Sequence, residues 1–149
     1  MGAHWKLRET LFSAYGLKIT LPGAWQLRPG DDPLRWFYRS ADKREQLTII
    51  HAEGDEAALG KAAARHRRAV ELGFSRIPGL ELSQTCFEEC EGFPCAEFSG
   101  GVEGVASIHS RVVCAAGAIW TFHYENFRLS EAETQERARH IFDSLSARG

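Results

Sequence analysis

The sequence lacks several features that would assign it to a function class. Its 18 basic residues are balanced by 20 acidic ones, which leaves a formal charge of −2. Because proteins that hold phosphate backbones carry an excess of positive charge, we do not expect nucleic acid as a partner. No apolar run approaches the roughly 20 residues that a membrane-spanning helix needs. The first six residues lack the apolar stretch of a signal peptide. We therefore expect a cytoplasmic protein, although removal of a leader peptide would leave the same sequence.

Motifs for catalysis or for cofactor binding are also missing. Four cysteines occur, with three, four and eighteen residues between successive ones, and none forms a C-x-x-C pair. A chain of this length does not depend on disulfides for its stability, so the spacing favours free, buried thiols. We predict no cofactor, no bound metal and no enzymatic activity. The four cysteines are Cys86, Cys90, Cys95 and Cys114.

What the sequence does contain indicates a single domain over residues 1–149. Its composition is 44% hydrophobic, which is enough for one core, and no repeat or linker divides the chain. Segments that alternate apolar and polar residues, or are rich in aromatic and β-branched residues, predict strands between turns such as Pro29-Gly30. The segments 35–39 and 46–51 are predicted to form a hairpin. The segments are 15–22, 25–29, 35–39, 46–51, 80–90, 95–99, 105–114 and 118–127.

Two helices complete the predicted fold. The first runs from Asp55, an N-cap residue, to Gly73, a glycine of the kind that follows a helix C-terminus. The second opens at Ser130 with the S-x-x-E capping box completed by Glu133. Its buried stripe is Ala138, Ile141, Phe142 and Leu145. These elements predict an α+β fold, an antiparallel sheet with helices packed on it.

Three stretches resemble the PsbP-like family. Residues 15–25, YGLKITLPGAW, are similar to its opening G-(apolar)-x-(apolar)-x-x-P-x-x-W pattern. Residues 91–96, EGFPCA, are similar to its mid-chain turn, x-G-x-P-(small). Residues 138–145, ARHIFDSL, are similar to its closing I-x-x-S-(apolar) pattern. The resemblance implies a bacterial protein with an α/β/α sandwich, a fold shared with a Ran-binding nuclear import factor. The family consists mainly of binding and assembly proteins, including DcrB-like envelope proteins and Eag-type chaperones of secretion effectors. Its pattern includes no catalytic residues.

The glycine-bearing turns also predict how the last four strands pair. A turn at Gly92-Phe93, a loop over 100–104 and a turn over 115–118 would align one row across the sheet: Cys90, Cys95, His109 and Tyr124. Because side chains alternate between the two faces of a strand, one face is apolar and the other, the mixed face, combines ionisable and aromatic groups. The apolar face contains Phe87, Ala96, Phe98, Ile108, Val112, Cys114, Ile119 and Thr121. The mixed face contains Cys86, Glu88, Cys90, Cys95, Glu97, His109, Arg111, Trp120, Phe122 and Tyr124.

The mixed face is our candidate binding site. Aromatic bodies beside ionisable groups are typical of recognition surfaces, so we expect a protein partner to contact His109, Arg111, Trp120, Phe122 and Tyr124. The alternative interpretation is that a helix covers the aromatic residues and leaves the charged ones at the rim. An unpaired sheet edge could also support a homodimer. We therefore predict a non-catalytic protein-binding or assembly module.

Three other functions stay open. An Eag-type chaperone would need an apolar groove. A thiol-dependent redox protein or enzyme would use Cys90 and Cys95 as a redox pair, with His109 beside Cys95 as base. Cys90 and Cys95 could form a disulfide, whereas zinc does not fit, because two strands would separate Cys90 from His109 by roughly 10 Å. A small-molecule carrier would need a pocket between sheet and helix.

Overall fold

The computed structural model describes residues 9–28 and 30–147. The N-terminal residues on which the leader prediction rests, and Pro29 of the predicted turn, lie outside this range. The strands are β1 (Glu9–Ala14), β2 (Leu17–Pro22), β3 (Trp25–Arg28), β4 (Arg35–Ser40), β5 (Glu45–Glu53), β6 (Glu81–Leu82), β7 (Cys86–Cys90), β8 (Phe93–Val102), β9 (Ala106–Ala115), β10 (Ala118–Asn126) and β11 (Ser146–Ala147). The helices are α1 (Leu59–Gly73), preceded by a 3₁₀ turn (Glu56–Ala58), and α2 (Glu131–Phe142).

These strands form two antiparallel sheets. The large sheet has the order β3-β4-β5-β10-β9-β8-β6, and β7 also pairs with β8; the small sheet has the order β1-β2-β11. Helix α1 packs on one face of the large sheet, while α2 and the small sheet cover the other. The predicted α+β class is confirmed. Within the described residues, neither helix is long and apolar enough to cross a bilayer.

The predicted hairpin consists of β4 and β5. Tyr38 lies opposite Leu47, and both side chains are buried. Asp42 organises the connection, since its Oδ1 accepts hydrogen bonds from the Ser40 hydroxyl at 2.7 Å and from the Arg44 backbone N–H at 3.0 Å. A carboxylate that bonds the backbone two residues later is usual turn chemistry. The polar run between the two strands therefore forms the turn that the sequence predicts.

Helix α1 begins and ends differently from the prediction. Asp55 is a cap, but it caps the 3₁₀ turn by accepting the Ala57 backbone N–H at 3.0 Å, and the α-helix begins at Leu59. Gly73 is the last helical residue, so it does not adopt the left-handed conformation expected beyond a helix end. The buried side chains of α1 are Leu59, Ala63 and Val70. These residues hold α1 against the apolar face.

Helix α2 agrees with its sequence signals. Ser130 Oγ accepts the Glu133 backbone N–H at 3.2 Å, and the Glu133 carboxylate accepts the Ser130 backbone N–H at 3.4 Å, which completes the predicted capping box. The predicted stripe is buried: Ala138, Ile141, Phe142 and Leu145. Beyond the helix, Ser144 Oγ accepts the Thr20 backbone N–H at 2.8 Å. That bond joins α2 to the small sheet.

One of the three predicted strand registers is confirmed. His109 lies opposite Tyr124 between β9 and β10, as predicted. Between β7 and β8 the pairing is shifted by two residues, so that Glu88 faces Cys95. The cause is the turn, which is Glu91-Gly92, with φ values of 54° and 85°. Two successive positive φ angles are typical of a two-residue hairpin turn, and they favour this turn over the predicted one.

The pairing of β8 with β9 is shifted by four residues. Cys95 lies opposite Val113, because β8 continues through Gly100 and Gly101 instead of ending before them. A Cβ atom at Gly100 would overlap the carbonyl oxygen of Glu81, so glycine is what allows β6 to approach β8 there. Both register errors are even numbers of residues. Side chains consequently stay on the predicted faces even though their neighbours change.

Candidate functional site

The mixed face is closed in the structure. All five predicted contact residues are at most 3% exposed: His109, Arg111, Trp120, Phe122 and Tyr124. They lie beneath α2 and the small sheet, whereas α1 lies on the opposite face. The prediction that this face is open to a partner is therefore wrong. The alternative interpretation is confirmed in part: a helix, α2, covers the aromatic residues and Glu88 is exposed, but Glu97 is only 5% exposed and Arg111 is also buried.

The aromatic residues of the mixed face belong to the core. The Trp120 ring lies 6.1 Å from that of Trp36 and 6.0 Å from that of Phe12. Phe12 comes from β1, a strand that the sequence signals did not predict. Tyr124 donates its hydroxyl hydrogen to Glu45 at 2.7 Å, and burial raises the pKa of this phenol. These contacts indicate that the aromatic residues stabilise the fold and do not contact a partner.

The ionisable groups of the mixed face form a buried cluster around Glu97. His109 Nε2 donates to one carboxylate oxygen of Glu97 at 2.5 Å, and Arg111 Nη2 donates to the other at 3.1 Å. Burial alone would raise the pKa of Glu97, but the His109 hydrogen bond and the positive charge of Arg111 outweigh it and lower the pKa to about 2. Glu97 is thus a buried carboxylate that stays ionised.

Arg111 connects this cluster to α2. Its Nη1 donates to Asp143 Oδ1 at 3.0 Å, and its guanidinium carbon lies 5.4 Å from the centre of the Phe142 ring. Sequence reasoning missed Asp143. The residue follows the buried stripe of α2, but no local signal indicates that it meets a strand 32 positions away.

The cysteines differ from the prediction of four free thiols. Cys90 and Cys95 form a disulfide, with their Cα atoms 6.0 Å apart, while Cys86 and Cys114 are free in the described part of the chain. Cys90 Sγ lies 3.3 Å from a carboxylate oxygen of Glu97. The disulfide therefore borders the Glu97 cluster at its edge nearest to β7.

The predicted nucleophilic pair of Cys95 and His109 does not form. The register shift places Ser99, and not Cys95, opposite His109. The Nε2 atom of His109 is engaged by Glu97, and its Nδ1 atom has no hydrogen-bond partner among the described residues. His109 therefore has no geometry for removing a proton from Cys95.

A second polar network lies under α1 on the opposite face. Ser110 Oγ lies 2.9 Å from His66 Nε2 and 2.6 Å from His123 Nδ1, and His123 Nε2 lies 2.9 Å from Glu125 Oε1. Burial, and then the neighbouring His123 and Arg35, lower the pKa of His66 to about 3. Ser110 has no exposed surface, so no substrate can reach its hydroxyl. This network therefore packs α1 against the large sheet.

The predicted apolar face is largely confirmed. Phe98 and Ile108 pack with Val70 of α1, and Ala96, Val112 and Ile119 pack with Leu59 and Ala63. The exception is Phe87, which is 61% exposed on the edge strand β7.

A cleft of about 520 Å³ lies at one end of the large sheet, close to the N-terminus of α2. Its walls include Gly101, Val105, Phe127 and Glu131. The small-molecule carrier was predicted to need a pocket between the sheet and a helix. This cleft instead opens beside the ends of β8 and β9.

Comparison with known proteins identifies the fold. No family model matches the chain, and no curated protein matches its sequence. The solution structure of CyanoP, the cyanobacterial PsbP of Synechocystis, is similar with a TM-score of 0.73 and 14% identity, over 95% of this chain and 94% of that one. A Bacteroides thetaiotaomicron protein has a TM-score of 0.59 and 15% identity, but the match spans 97% of this chain and only 49% of that longer one. LpqN, a Mycobacterium tuberculosis protein involved in cell envelope biogenesis, is similar with a TM-score of 0.53 and 15% identity. That match covers 95% of this chain and 91% of LpqN. This chain therefore has a PsbP-like fold.

Proposed function

We propose that the chain is a non-catalytic protein-binding or assembly module and that its partner binds along β7, at the edge of the large sheet. The observation that carries the proposal is the exposure of this strand. Four of its five residues are exposed, and among the described residues β7 pairs with β8 alone. An unpaired strand edge can accept an extended segment of another protein by backbone hydrogen bonding.

The register indicates which backbone groups of β7 are available. Pairs in an antiparallel ladder alternate between hydrogen-bonded and non-hydrogen-bonded ones. Glu89 faces Pro94, which has no N–H, so this pair is of the second kind. The backbone N–H and C=O groups of Glu89, and of Phe87 two residues earlier, therefore point away from β8. They offer two successive positions for pairing with a partner strand.

The side chains of β7 favour a partner of defined chemistry. Phe87 is 61% exposed and supplies an apolar anchor. Glu88, Glu89 and Glu91 are exposed along the same hairpin and give it a negative charge. An extended segment with a pocket for one aromatic ring and with Lys or Arg side chains would complement this edge.

Site-specific photo-crosslinking tests this assignment. A photoreactive phenylalanine analogue at Phe87 should crosslink a protein partner in the native host. Leu72 of α1 is the matched control, because it is 58% exposed but lies on a helix. Equal crosslinking from both positions, or none from Phe87, would contradict binding along β7. Light scattering over a range of concentrations distinguishes a homodimer from a different partner.

A proline substitution then tests the backbone contribution. Glu89→Pro removes one outward N–H without removing a bond to β8, a change that edge strands tolerate. Glu89→Ala is the control, since it removes the same charge and keeps the N–H. We expect Glu89→Pro to weaken binding of the crosslinked partner about fivefold or more beyond Glu89→Ala, the cost of roughly one hydrogen bond.

Narrower assignments have less support. An Eag-type chaperone would need an apolar groove away from the mixed face, which is filled by α2 and the small sheet. The thiol-dependent enzyme lacks a base beside Cys95, because His109 binds Glu97. A cytoplasmic location stays a prediction, which fractionation of the native host can test.

A further inference from the structure

Four side chains with metal-binding atoms converge on the hairpin of β7 and β8. Glu88, Cys90, Cys95 and Glu97 each contribute one ligand atom, and these four atoms lie within 4.8 Å of one another. We propose that, when the Cys90–Cys95 disulfide is reduced, these residues bind a divalent cation of the zinc class. The inference does not depend on the proposed protein contact.

The observed register explains this convergence. Glu88 lies directly opposite Cys95. Cys90 and Glu97 share the same side of the hairpin, with Cys90 two residues nearer the turn and Glu97 two residues further from it. Zinc was excluded in the sequence analysis because His109 was taken as a ligand and lay too far from Cys90. In the structure Val113, and not His109, lies opposite Cys95, and Glu97 supplies a ligand atom in place of His109.

The dimensions suit a tetrahedral ion. Bonds of about 2.3 Å to thiolate and about 2.0–2.2 Å to carboxylate place neighbouring ligand atoms about 3.3–3.8 Å apart in a tetrahedron. The four ligand atoms need only small adjustments to reach these spacings once the sulfur atoms are no longer bonded to each other. Two thiolates with two carboxylates also match the preference of zinc over the harder magnesium and calcium ions.

Glu97 is already oriented as a ligand of a metal would be. His109 and Arg111 donate to its two oxygen atoms, and both are nine-tenths or more buried. Metal-binding carboxylates are usually held by such outer partners. Arg111 also reduces the excess charge, because the four ligands carry four negative charges and the cation neutralises only two.

Access to the site is provided from one side. Glu88 is exposed, whereas Cys90, Cys95 and Glu97 are buried, so an ion can enter from β7 and be enclosed on the side of α2. The chemistry requires a dithiol reductant. It supplies two electrons and two protons, the Sγ–Sγ bond breaks, and the reductant becomes a disulfide. On binding the cation, both thiols release their protons to water as two metal–sulfur bonds form.

Cobalt(II) provides a direct test on the full chain. The protein is reduced with a dithiol, separated from the reductant without oxygen, and titrated with Co²⁺, then with Zn²⁺. We expect one equivalent of Co²⁺ to produce thiolate-to-cobalt charge transfer and the intense visible bands of tetrahedral cobalt. Zn²⁺ should abolish both signals, and the oxidised protein should produce neither.

Single substitutions identify the ligands. Glu88→Gln, at an exposed position, should weaken Co²⁺ affinity at least tenfold. Loss of a residue that only supports a metal ligand already lowers affinity roughly 10- to 100-fold, and Glu88 is proposed as a ligand itself. Cys90→Ser should remove most of the charge-transfer intensity. Cys114→Ser is the matched control, because Cys114 is a free thiol on the opposite face of the sheet.

Several outcomes would overturn the proposal. The first is a reduced protein that shows no thiolate–cobalt absorption, and the second is a Glu88→Gln variant with unchanged Co²⁺ affinity. The third is loss of the bands in Cys114→Ser or Cys86→Ser to the same degree as in Cys90→Ser. Unfolding upon reduction, detected by near-ultraviolet circular dichroism, would also exclude the site, since the ligands meet only on the folded hairpin. Because these signals are measured without a protein partner, their failure leaves the test of β7 unaffected.

Discussion

Arg111 in the middle of β9 and Asp143 at the end of α2 form an ion pair of 3.0 Å across two layers of the fold. The second guanidinium nitrogen of Arg111 binds the buried Glu97 at 3.1 Å. One side chain thus fastens α2 over the mixed face and neutralises a carboxylate beneath it. This relationship explains why charged residues predicted to face a partner are internal to the protein.

The two partners of Arg111 should differ in their importance for stability. Arg111→Met leaves Glu97 without its cation in the interior, and breaking a buried pair in this way costs about 3–5 kcal/mol. Asp143→Asn removes a partner whose side chain is 47% exposed, so we expect less than about 1 kcal/mol. Urea unfolding of both variants provides the comparison. Equal losses would mean that the Glu97 cluster contributes nothing beyond a surface ion pair.

Trp120 is expected to be essential to the fold and not to a contact surface. It has no exposed area and packs against aromatic rings of β1 and β4, so Trp120→Ala should cost about 3–5 kcal/mol. Leu11→Ala is the control, because Leu11 is 61% exposed and its loss should change stability by no more than about 0.5 kcal/mol. Thermal unfolding measures both effects. A Trp120→Ala protein as stable as the wild type would contradict the conclusion that the mixed face is interior.

Acid should destabilise the protein through His66. Burial holds its pKa at about 3 in the folded state, below its ordinary value of 6.5, so the unfolded chain takes up a proton first as the pH falls. The free energy of unfolding therefore decreases from about pH 6.5 downward, by at most about 1.4 kcal/mol per pH unit for this one group. Glu97, with its pKa of about 2 against an ordinary 4.5, adds a loss only below about pH 4.5.

Comparison of variants between about pH 7 and about pH 5 isolates the histidine. His66→Gln can still hydrogen-bond Ser110 but cannot titrate, so its stability should depend less on pH than that of the wild type. His140→Gln, at an exposed position of α2, should keep the wild-type slope. Identical slopes in all three proteins would show that His66 is not the group responsible.

Gly100 should be required for β6 to pair with β8. Gly100→Ala places a Cβ atom on the Glu81 carbonyl, so we expect β6 to detach and its amide hydrogens to exchange faster. Gly60→Ala is the control, since nothing lies within 4 Å of that position in α1 and alanine favours a helix by up to about 1 kcal/mol. Hydrogen exchange measured by mass spectrometry distinguishes them. Unchanged protection of β6 in Gly100→Ala would show that the strand can shift to accommodate a methyl group.

The sequence predicted those features that depend on neighbours along the chain. The Ser130 capping box and the turn at Asp42 each involve residues only a few positions apart, and the pairing of His109 with Tyr124 follows from the short turn over 115–118. The structure confirms each of them. Strand alternation likewise determined which side chains share a face. That property survived register shifts of two and four residues because both shifts are even.

The two register predictions that failed did so for different reasons, one at a distant contact and one at a local turn. Gly100 and Gly101 resemble a loop in the sequence, but they continue β8 because β6 and β9 approach them closely. Cys95 meets Glu88 and not His109, since the φ angles of Glu91 and Gly92 select a turn that composition alone did not distinguish from its neighbour.

The sequence by itself determined that this is an α+β protein with one apolar and one mixed sheet face, and its motifs indicated the PsbP-like fold. Only the tertiary structure decided that the mixed face is interior. Side-chain alternation is a local property with a period of two residues, whereas the covering layer is assembled from both ends of the described chain. Ser144 binds Thr20 across 124 positions to close that layer, and no short stretch of sequence encodes such a contact.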